Sequence, residues 1–397
     1  MGKVMGMKVS IERIFSEYNM NTALKIVTKK NPMPGLDGLR ASELEEYWSM
    51  NKNAILKEIE KGTYNPTPLF IFFKIKPGKK EKRQISVCSV LDQMLLHCIR
   101  IELEKSYIPY FHKNSYGFIK GRGTQEALIQ CCCFMNNGFN YVVDADIRKC
   151  FDSIKHRIVI EKIGRISKNN VTELISKYIK NPGMIGESIR YHRVGVPQGL
   201  CLSPLLTNIV LNSLDWFLYR KRMRFVRYAD DLVVFCKNRQ DAYEALNIIR
   251  EYLEKELSLH LNNDKTSIIP AEELHYLGHA FVKFGNKYIL AIDENIKGKM
   301  ILKLQRQLKR KDDGKVEMLD RIGAFNRGWI NYYRKAYPKS MIEFLQIVQE
   351  SEIEEINNKL IPESSGKTET ANIILESKGF VLPIDWYEEV CERSGII

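Results

Sequence analysis

The clearest pattern of apolar and polar positions lies at residues 225–236, where two apolar runs flank the adjacent acids Asp230 and Asp231. β-Branched and aromatic residues dominate both runs, which predicts a β-hairpin with a pair of carboxylates at its tip. Adjacent like charges destabilise a tight turn unless a cation neutralises them, and carboxylates around divalent ions are typical of phosphoryl-transfer sites. A solvated turn is the alternative, because aspartate is common in turns.

A second acidic strand is predicted upstream of this hairpin. Strand side chains alternate between faces, so Val143, Ala145 and Ile147 share one face. Asp144 and Asp146 share the other, where two acids are costly to bury without a counter-charge. If the strand lies beside the hairpin, one of these acids joins the tip around two divalent ions about 3.5–4 Å apart. For the other acid we expect a salt bridge at the strand end.

Residues 194–208 predict a loop followed by a helix. Pro197 and Gly199 mark the loop, and Ser203 is placed to cap the helix before Pro204. Gln198 is thereby left on a loop near a helix start, where its amide can donate and accept hydrogen bonds. Taken alone, this stretch is an ordinary loop-to-helix junction and does not indicate a function.

An apolar stripe predicts a further helix at residues 296–310. Its apolar members recur every four residues and are Ile296, Met300, Leu304 and Leu308. Basic residues accompany the stripe: Lys299, Lys303, Arg306 and Arg310. A helix that is packed on one side and basic on the other suits a nucleic-acid backbone, whereas a solvated helix surface is the plain alternative.

Charge is distributed unevenly along the 397 residues, a length that allows two or three domains. The net charge of +13 and the isoelectric point near 9.1 fit a polyanionic partner. Residues 340–397 carry twelve acidic and four basic residues, so the segment before them holds the whole positive excess. The sequence therefore predicts a strongly basic body and an acidic tail.

The cysteines indicate the compartment. None of the nine forms a Cys-x-x-Cys pair with a matching partner, so we expect reduced thiols and no zinc site. We also find no N-terminal apolar leader and no apolar run of membrane-spanning length. The expected location is cytoplasmic, with no membrane partner.

The order of the motifs resembles that of reverse transcriptases. An acidic strand, the Pro197–Gly199 loop and the Tyr228–Asp231 hairpin follow one another as in bacterial reverse transcriptases of the group II intron-like lineage. Other stretches resemble family motifs in the same order: Pro34–Gly38, Lys76–Gly78 with Arg83–Val87, Ser115–Phe118, Leu261–Asn262 with Lys265–Thr266, Tyr276–Gly278 and Arg327–Tyr333. The resemblance covers roughly residues 20–340.

The resemblance implies an α+β fold of the right-hand polymerase type, with fingers, a palm built on an antiparallel sheet, and a helical thumb. The expected regions are an N-terminal helical extension at 1–70, fingers at 71–135, the catalytic palm at 136–290, the thumb at 291–340 and an acidic C-terminal tail at 341–397.

The resemblance also assigns the metal ligands. Asp146 matches the first metal-binding acid, because Phe151, five positions on, then occupies the family's sugar-gate position, where its ring would crowd a ribose 2′-hydroxyl. Asp230 and Asp231 supply the remaining carboxylates, and the Ile147 carbonyl joins the metal shell. The implied cofactor is a pair of Mg²⁺ ions, for which Mn²⁺ can substitute.

Nucleotide-binding roles follow in the same way. Lys76 and Arg83 resemble the fingers pair that clamps the incoming triphosphate. The stretch between them is one residue longer than the commonest family spacing, so Lys79 or Lys80 could replace Lys76. Gln198 resembles the residue that packs on the incoming nucleotide.

Three further roles concern the leaving group and the nucleic acid. Lys265 resembles the lysine that protonates departing pyrophosphate, and a lysine on a solvated face is the alternative. Tyr276, Leu277 and Gly278 resemble the primer grip. The basic helix would contact template and primer through Lys303, Arg306 and Arg310.

The activity implied by the resemblance is RNA-directed DNA synthesis from dNTPs on an RNA template, with a DNA or RNA primer and a cDNA product. No basic DNA-binding segment or Cys/His-rich nuclease follows the thumb signature. We therefore expect a stand-alone enzyme that copies a dedicated non-coding RNA in anti-phage defence. The alternatives are an intron maturase and a catalytically silent RNA-binding protein. The oligomeric state is left open.

Overall fold

The computed structural model describes residues 8–75, 82–310, 315–360 and 381–393. The helices, in chain order, are α1 (Ile11–Ile14), α2 (Glu17–Lys30), α3 (Leu44–Glu60), α4 (Val90–Tyr107), α5 (Thr124–Asn136), α6 (Cys150–Ser153), α7 (His156–Gly164), α8 (Asn169–Lys180), α9 (Ser203–Arg220), α10 (Arg239–Tyr252), α11 (Glu294–Leu308), α12 (Lys315–Tyr333), α13 (Pro338–Leu360) and α14 (Pro383–Arg393). The strands are β1 (Leu69–Ile75), β2 (Lys82–Val87), β3 (Tyr141–Asp146), β4 (Gly183–Ile185), β5 (Ser188–Arg190), β6 (Arg224–Tyr228), β7 (Asp231–Cys236), β8 (Ser267–Pro270), β9 (His275–Tyr276), β10 (His279–Phe284) and β11 (Lys287–Ile292).

The chain divides into two compact units. The first consists of Met1–Ala127 and Val143–Ile268, and the second of Leu128–Val142 and Ile269–Ile397. Helix α5 and strands β3 and β8 each contain a boundary between the units. The five regions expected from the sequence stay a prediction.

Two sheets organise the first unit. One has the strand order β2-β1-β4-β5, with β1 and β2 paired antiparallel. The other has the order β6-β7-β3-β8, with β6 and β7 as an antiparallel hairpin. Helices and largely antiparallel sheets together confirm the predicted α+β class.

The alternation predicted for strand β3 is confirmed. Val143, Ala145 and Ile147 are buried, with exposed fractions of 2% or less. Asp144 and Asp146 lie on the other face and are partly accessible. The apolar face packs into the core, so the acids are turned together towards the opposite side of the sheet.

Helix α9 begins where the loop-to-helix pattern places it, with one local difference. Ser203 is the first helical residue and not the cap, since its hydroxyl donates to the Pro197 carbonyl over 2.7 Å. This bond fastens the loop that carries Gln198 to the start of the helix. The prediction of Ser203 as the N-cap was therefore wrong by one position, because the hydroxyl bonds back to the loop.

The second unit contains the three-stranded sheet β11-β10-β9 and helices α11 to α14. The apolar stripe of α11 is confirmed, with Met300, Leu304 and Leu308 buried in a core shared with α12, α13 and α14. The basic residues that accompany the stripe, Lys299, Lys303, Arg306 and Arg310, are exposed. One side of this helix therefore packs, and the other presents cations.

A buried carboxyl group in this unit makes its stability depend on pH. Glu352 on α13 is 0% exposed and accepts hydrogen bonds from Asn326 Nδ2 at 2.8 and 3.0 Å. Burial raises the pKa of Glu352 to about 8, against the lowering effect of Asn326. The folded state binds the proton of the Glu352 carboxyl group more tightly than the unfolded state does, so protonation of Glu352 stabilises the fold. This contribution to stability is complete below about pH 4.5 and is lost as pH rises through about 8.

We expect Glu352→Gln to match the wild type in thermal unfolding at pH 5. At pH 8.5 the variant should unfold on the order of 5 °C higher, because glutamine carries no charge to bury. Glu354→Gln is the matched control, since Glu354 is exposed on the same helix. Equal midpoints for wild type and Glu352→Gln at pH 8.5 would contradict the prediction.

Within the described residues, no helix is both long enough and apolar enough to cross a membrane.

Candidate active site

Asp146 lies at the end of β3 and is held by residues from the 260–266 loop. Lys265 Nζ lies 3.0 Å from Asp146 Oδ1, and Asn262 Nδ2 donates to Asp146 Oδ2 over 3.1 Å. The backbone is held as well, since the Asn262 amide donates to the Asp146 carbonyl over 2.8 Å and Thr266 Oγ1 accepts from the Asp146 amide. The carboxylate is thus fixed in orientation on both oxygens.

The hairpin β6–β7 presents the other two acids. Tyr228 pairs with Asp231, so Ala229 and Asp230 form a two-residue turn. Asp231 is the first residue of β7 and keeps more of its surface accessible than Asp230, although both carboxylates lose part of their hydration. The predicted hairpin with acids at its tip is therefore present.

The pKa values show that these carboxylates share one electrostatic environment. Desolvation raises the pKa of Asp231 to about 6, and the charges of Asp230, Asp146 and Asp144 add to the increase. Desolvation likewise raises the pKa of Asp230, with Asp146 contributing. Asp144 also has its pKa raised to about 6, by burial and then by Asp146. The four acids repel one another, and a cation among them would relieve the repulsion.

Lys265 places a positive charge in direct contact with this group, 3.0 Å from Asp146 Oδ1. Its hydrogen bond to Asp146 raises its pKa, and the charges of Asp231 and Asp230 add to the effect. The side chain is 55% exposed, so it can reach both the acids and the solvent of the cleft. This position suits a proton donor as well as a counter-ion.

Gln198 is held between two charged partners. Arg83 Nε donates to Gln198 Oε1 over 2.7 Å, and Gln198 Nε2 donates to Asp152 Oδ1 over 2.9 Å. The loop backbone is tied to β2, because the Ser86 amide donates to the Gln198 carbonyl over 2.7 Å. The amide plane of Gln198 is therefore set by Arg83 on one edge and Asp152 on the other.

Asp146, Asp230, Lys265 and Gln198 line one cleft of about 640 Å³. Its walls include Phe73, Arg83, Asp146, Ile147, Phe151, Asp152, Gln198, Asp230, Asn262 and Lys265. Phe151 is half-buried, and its carbonyl accepts from the Val196 amide over 2.7 Å. The structure thus brings together residues that lie up to about 190 positions apart in the sequence.

The chemistry of the donor set fits hard divalent cations. Aspartate oxygens are the ligands that Mg²⁺ and Mn²⁺ prefer, and the mutual repulsion of Asp230 and Asp231 favours such an ion. No group of three or more His, Cys, Asp or Glu side chains is arranged to hold a metal ion among residues 8–75, 82–310, 315–360 and 381–393. The carboxylate of Asp146 is instead directed towards Lys265.

Comparisons with known proteins identify the family. A family model described as "Reverse transcriptase (RNA-dependent DNA polymerase)" matches residues 74–281, just over half of the chain. This chain belongs to the reverse transcriptase family. A second model, "Group II intron, maturase-specific domain", matches residues 297–353. The predicted group II intron-like lineage and right-hand polymerase fold are confirmed.

Curated relatives agree with this assignment. Group II intron-encoded protein LtrA of Lactococcus lactis subsp. cremoris is 34% identical over 182 residues, which cover 45% of this reverse transcriptase and 30% of LtrA. Protein YkfC of Escherichia coli (strain K12) is 26% identical over 295 residues, 64% of this chain and 77% of YkfC. A solved telomerase from Candida albicans in complex with a TWJ fragment of telomeric RNA has a TM-score of 0.45 and 12% identity, over 89% of this chain and 70% of that one.

The reverse transcriptase motif expected to grip the primer lies in the second unit. Leu277 has φ +50° and Gly278 φ +74°. Tyr332 Oη donates to the Leu277 carbonyl over 2.9 Å, and a Cβ at position 278 would lie 2.7 Å from Tyr333 Oη. Tyr276 is buried. The Tyr332–Tyr333 pair therefore supports the bend at residues 277–278. From the sequence, the motif that contains this bend and the motif that contains the two tyrosines were related only by their order along the chain.

The remaining predicted site residues fall into two groups. Lys76, Lys79 and Lys80 fall outside the described residues. The exposed cations Lys303, Arg306 and Arg310 belong to the second unit and its maturase-specific match. Asn262 and Asp152 were not predicted as site residues. Asn262 stands inside a stretch that resembles a palm motif, whereas Asp152 has no feature in the sequence that marks it.

Proposed function

We propose that this protein is an RNA-directed DNA polymerase whose reaction takes place in the cleft described above. The observation that carries the proposal is that Asp146 and Asp230, at the ends of two neighbouring strands, line one cleft together with Arg83, Phe151 and Gln198. The comparisons support the same activity through the reverse transcriptase family. The match spans less than a third of the length of LtrA, so the activity is a proposal for the whole protein.

The reaction is nucleotidyl transfer: a primer 3′-hydroxyl attacks the α-phosphorus of a dNTP, and pyrophosphate leaves. Asp146, Asp230 and Asp231, with the Ile147 carbonyl, would hold two divalent cations, Mg²⁺ or Mn²⁺. Such ions, when bound, lower the pKa of the attacking hydroxyl and offset the charge of the leaving phosphates. The protein's own contribution is positioning and charge stabilisation.

Arg83 and Gln198 would bind the incoming nucleotide. The guanidinium of Arg83 offers further N–H donors to a triphosphate beyond the one it gives to Gln198. The amide of Gln198, fixed by its two partners, presents a defined surface to the base and sugar. Phe151 would exclude the ribose 2′-hydroxyl by its bulk, which favours deoxynucleotides.

The decisive test is primer extension on an RNA template with Mg²⁺ and the four dNTPs. We expect products that depend on all of these components. A purified, folded chain that binds RNA yet never extends a primer, with Mg²⁺ or Mn²⁺, would favour the silent RNA-binding protein instead.

A role for Lys265 can be tested separately. We expect Lys265→Met to lower kcat about a hundredfold, because the variant has no proton to give to departing pyrophosphate. Removing its bond to Asp146 should leave Mn²⁺ affinity unchanged or higher. Lys237→Met, at an exposed position after β7, is the control. Wild-type kcat in Lys265→Met would mean that this lysine is only a solvated counter-ion.

For the biological role, we propose that the template is a dedicated non-coding RNA and that the enzyme acts in anti-phage defence. The match to the maturase-specific domain and the relatives named as intron-encoded favour a second candidate, action on group II intron RNA. Sequencing the nucleic acid that copurifies with the protein distinguishes them. One abundant RNA with matching cDNA supports the first candidate, and spliced intron RNA supports the second.

A further inference from the structure

The turn that presents Asp230 depends on an uncommon backbone conformation. Ala229 has φ +58°, in a region that residues with a Cβ rarely adopt. Because Tyr228 and Asp231 pair across the hairpin, Ala229 and Asp230 alone make the connection. The direction of Asp230 therefore follows from the orientation of the Ala229 peptide, which other groups must hold in place.

Arg227 holds this peptide. Its Nη1 donates to the Ala229 carbonyl over 2.7 Å and to Asn208 Oδ1 over 2.8 Å. On its other edge, Nε and Nη2 donate to the two oxygens of Asp215 over 2.7 and 2.6 Å. The Arg227 and Asp215 side chains are both 0% exposed. Asp215 and Asn208 thus fix the guanidinium while it binds the turn.

The same turn is held from a second side by Gly117. A Cβ at position 117 would lie 2.4 Å from the Ala229 nitrogen, so this close approach requires glycine. Asn208 Nδ2 donates to the Gly117 carbonyl over 2.7 Å, which joins Gly117 to the Arg227 cluster. The Tyr116 amide also donates to the Arg227 carbonyl over 2.9 Å. The loop that contains Gly117, the β6–β7 hairpin and helix α9 therefore meet around Ala229.

Stability alone does not account for a fully buried ion pair at this place. The loss of hydration of two charges offsets their attraction, and apolar residues of similar volume are often at least as stable. A bidentate arginine–carboxylate pair does what an apolar contact cannot, because it fixes the direction of the remaining N–H groups. One of these N–H groups, on Nη1, donates to the carbonyl of Ala229, the residue before Asp230.

We propose that Arg227, oriented by Asp215, is a positioning residue that aims Asp230 at the divalent cations of the cleft. The proposal rests on the polymerase function proposed above and names how one of its ligands is aligned. Arg227 is too deeply buried to touch a substrate, and it acts through the Ala229 peptide. Asp215 acts indirectly, because it holds the guanidinium of Arg227 in its orientation.

The test separates alignment from stability. The double variant Arg227→Met/Asp215→Leu replaces the pair with apolar side chains and should unfold within a few degrees of wild type. Mn²⁺ binding to the full chain, followed by electron paramagnetic resonance without nucleotide, should weaken about 10–100-fold. In single-nucleotide insertion on an RNA template, kcat should fall by a similar factor, with little change in KM for dTTP.

A matched control makes the same replacement at another ion pair. Arg13 Nη2 and Glu102 Oε1 lie 2.5 Å apart, with Glu102 buried. We expect Arg13→Met/Glu102→Leu to bind Mn²⁺ as the wild type does. Asp215→Asn keeps the volume but weakens the hold on Arg227, and it should lower Mn²⁺ affinity roughly threefold or more.

Wild-type Mn²⁺ affinity in a folded Arg227→Met/Asp215→Leu variant would overturn the proposal. If that variant does not fold, unchanged affinity in Asp215→Asn overturns it instead. A wild-type chain that binds Mn²⁺ but extends no primer would contradict the proposed polymerase function. The Mn²⁺ measurements would still decide whether Arg227 aligns Asp230.

Discussion

Replacing both Asp230 and Asp231 with asparagine should lower primer extension on an RNA template a thousandfold or more. Asparagine keeps the shape of each side chain but removes the negative charges that hold divalent ions, and loss of preorganised electrostatic groups costs on the order of 100–1,000-fold each. RNA binding should stay within roughly twofold of wild type, because phosphate contacts depend on basic side chains. Gel-based extension and filter binding measure the two quantities.

Asp241→Asn provides the control for this experiment. Asp241 is an exposed carboxylate on α10, outside the cleft, and its replacement removes the same functional group from the same unit. Its extension rate should equal that of the wild type. Sustained synthesis by the Asp230→Asn/Asp231→Asn variant would show that the hairpin acids are not the ligands of the reaction.

Phe151→Ala should make the enzyme accept ribonucleotides. The ratio of kcat/KM for dCTP to that for CTP should fall about tenfold to a hundredfold, because a methyl group leaves space for the ribose 2′-hydroxyl. Most of the change should appear as faster use of CTP and only a small part as slower use of dCTP. Single-nucleotide insertion opposite a template guanine measures both values.

Phe217→Ala controls for a general loosening of the protein. Phe217 is also half-buried, and its ring stacks on Tyr252 with centroids 4.1 Å apart, away from the residues that line the cleft. We expect its dCTP/CTP ratio to be that of the wild type. A ratio unaffected by Phe151→Ala would assign the sugar selectivity to another part of the cleft.

Local patterns predicted the elements that carry the acids. The hairpin at Asp230 and Asp231 was predictable because apolar strands flank a short polar turn, and the face of β3 was predictable from alternation alone. The apolar side of α11 followed from its four-residue period. Each of these features is set by neighbours in sequence, so a single stretch contains the information.

Contacts between distant parts of the chain could not be predicted in the same way. Asp152 orients Gln198 but stands 46 positions before it in the sequence. Asp215 lies in a largely apolar helix, and nothing in that stretch of sequence indicates that its partner is Arg227. Ser203 was expected to cap its helix, but its hydroxyl bonds to a loop carbonyl that only the folded chain brings near. Such pairings depend on tertiary geometry that no periodicity encodes.

The loop of Gln198 has a mechanical consequence for substrate selection. Its carbonyl accepts from the Ser86 amide, and Gly199, at φ +120°, approaches so closely that a Cβ there would lie 2.2 Å from the Ser86 oxygen. Strand β2 and this loop are therefore held together, so that a displacement of one would displace the other. If Arg83 and Gln198 bind the incoming nucleotide as proposed, a base that displaces Gln198 would also displace Arg83 and weaken its contact with the triphosphate.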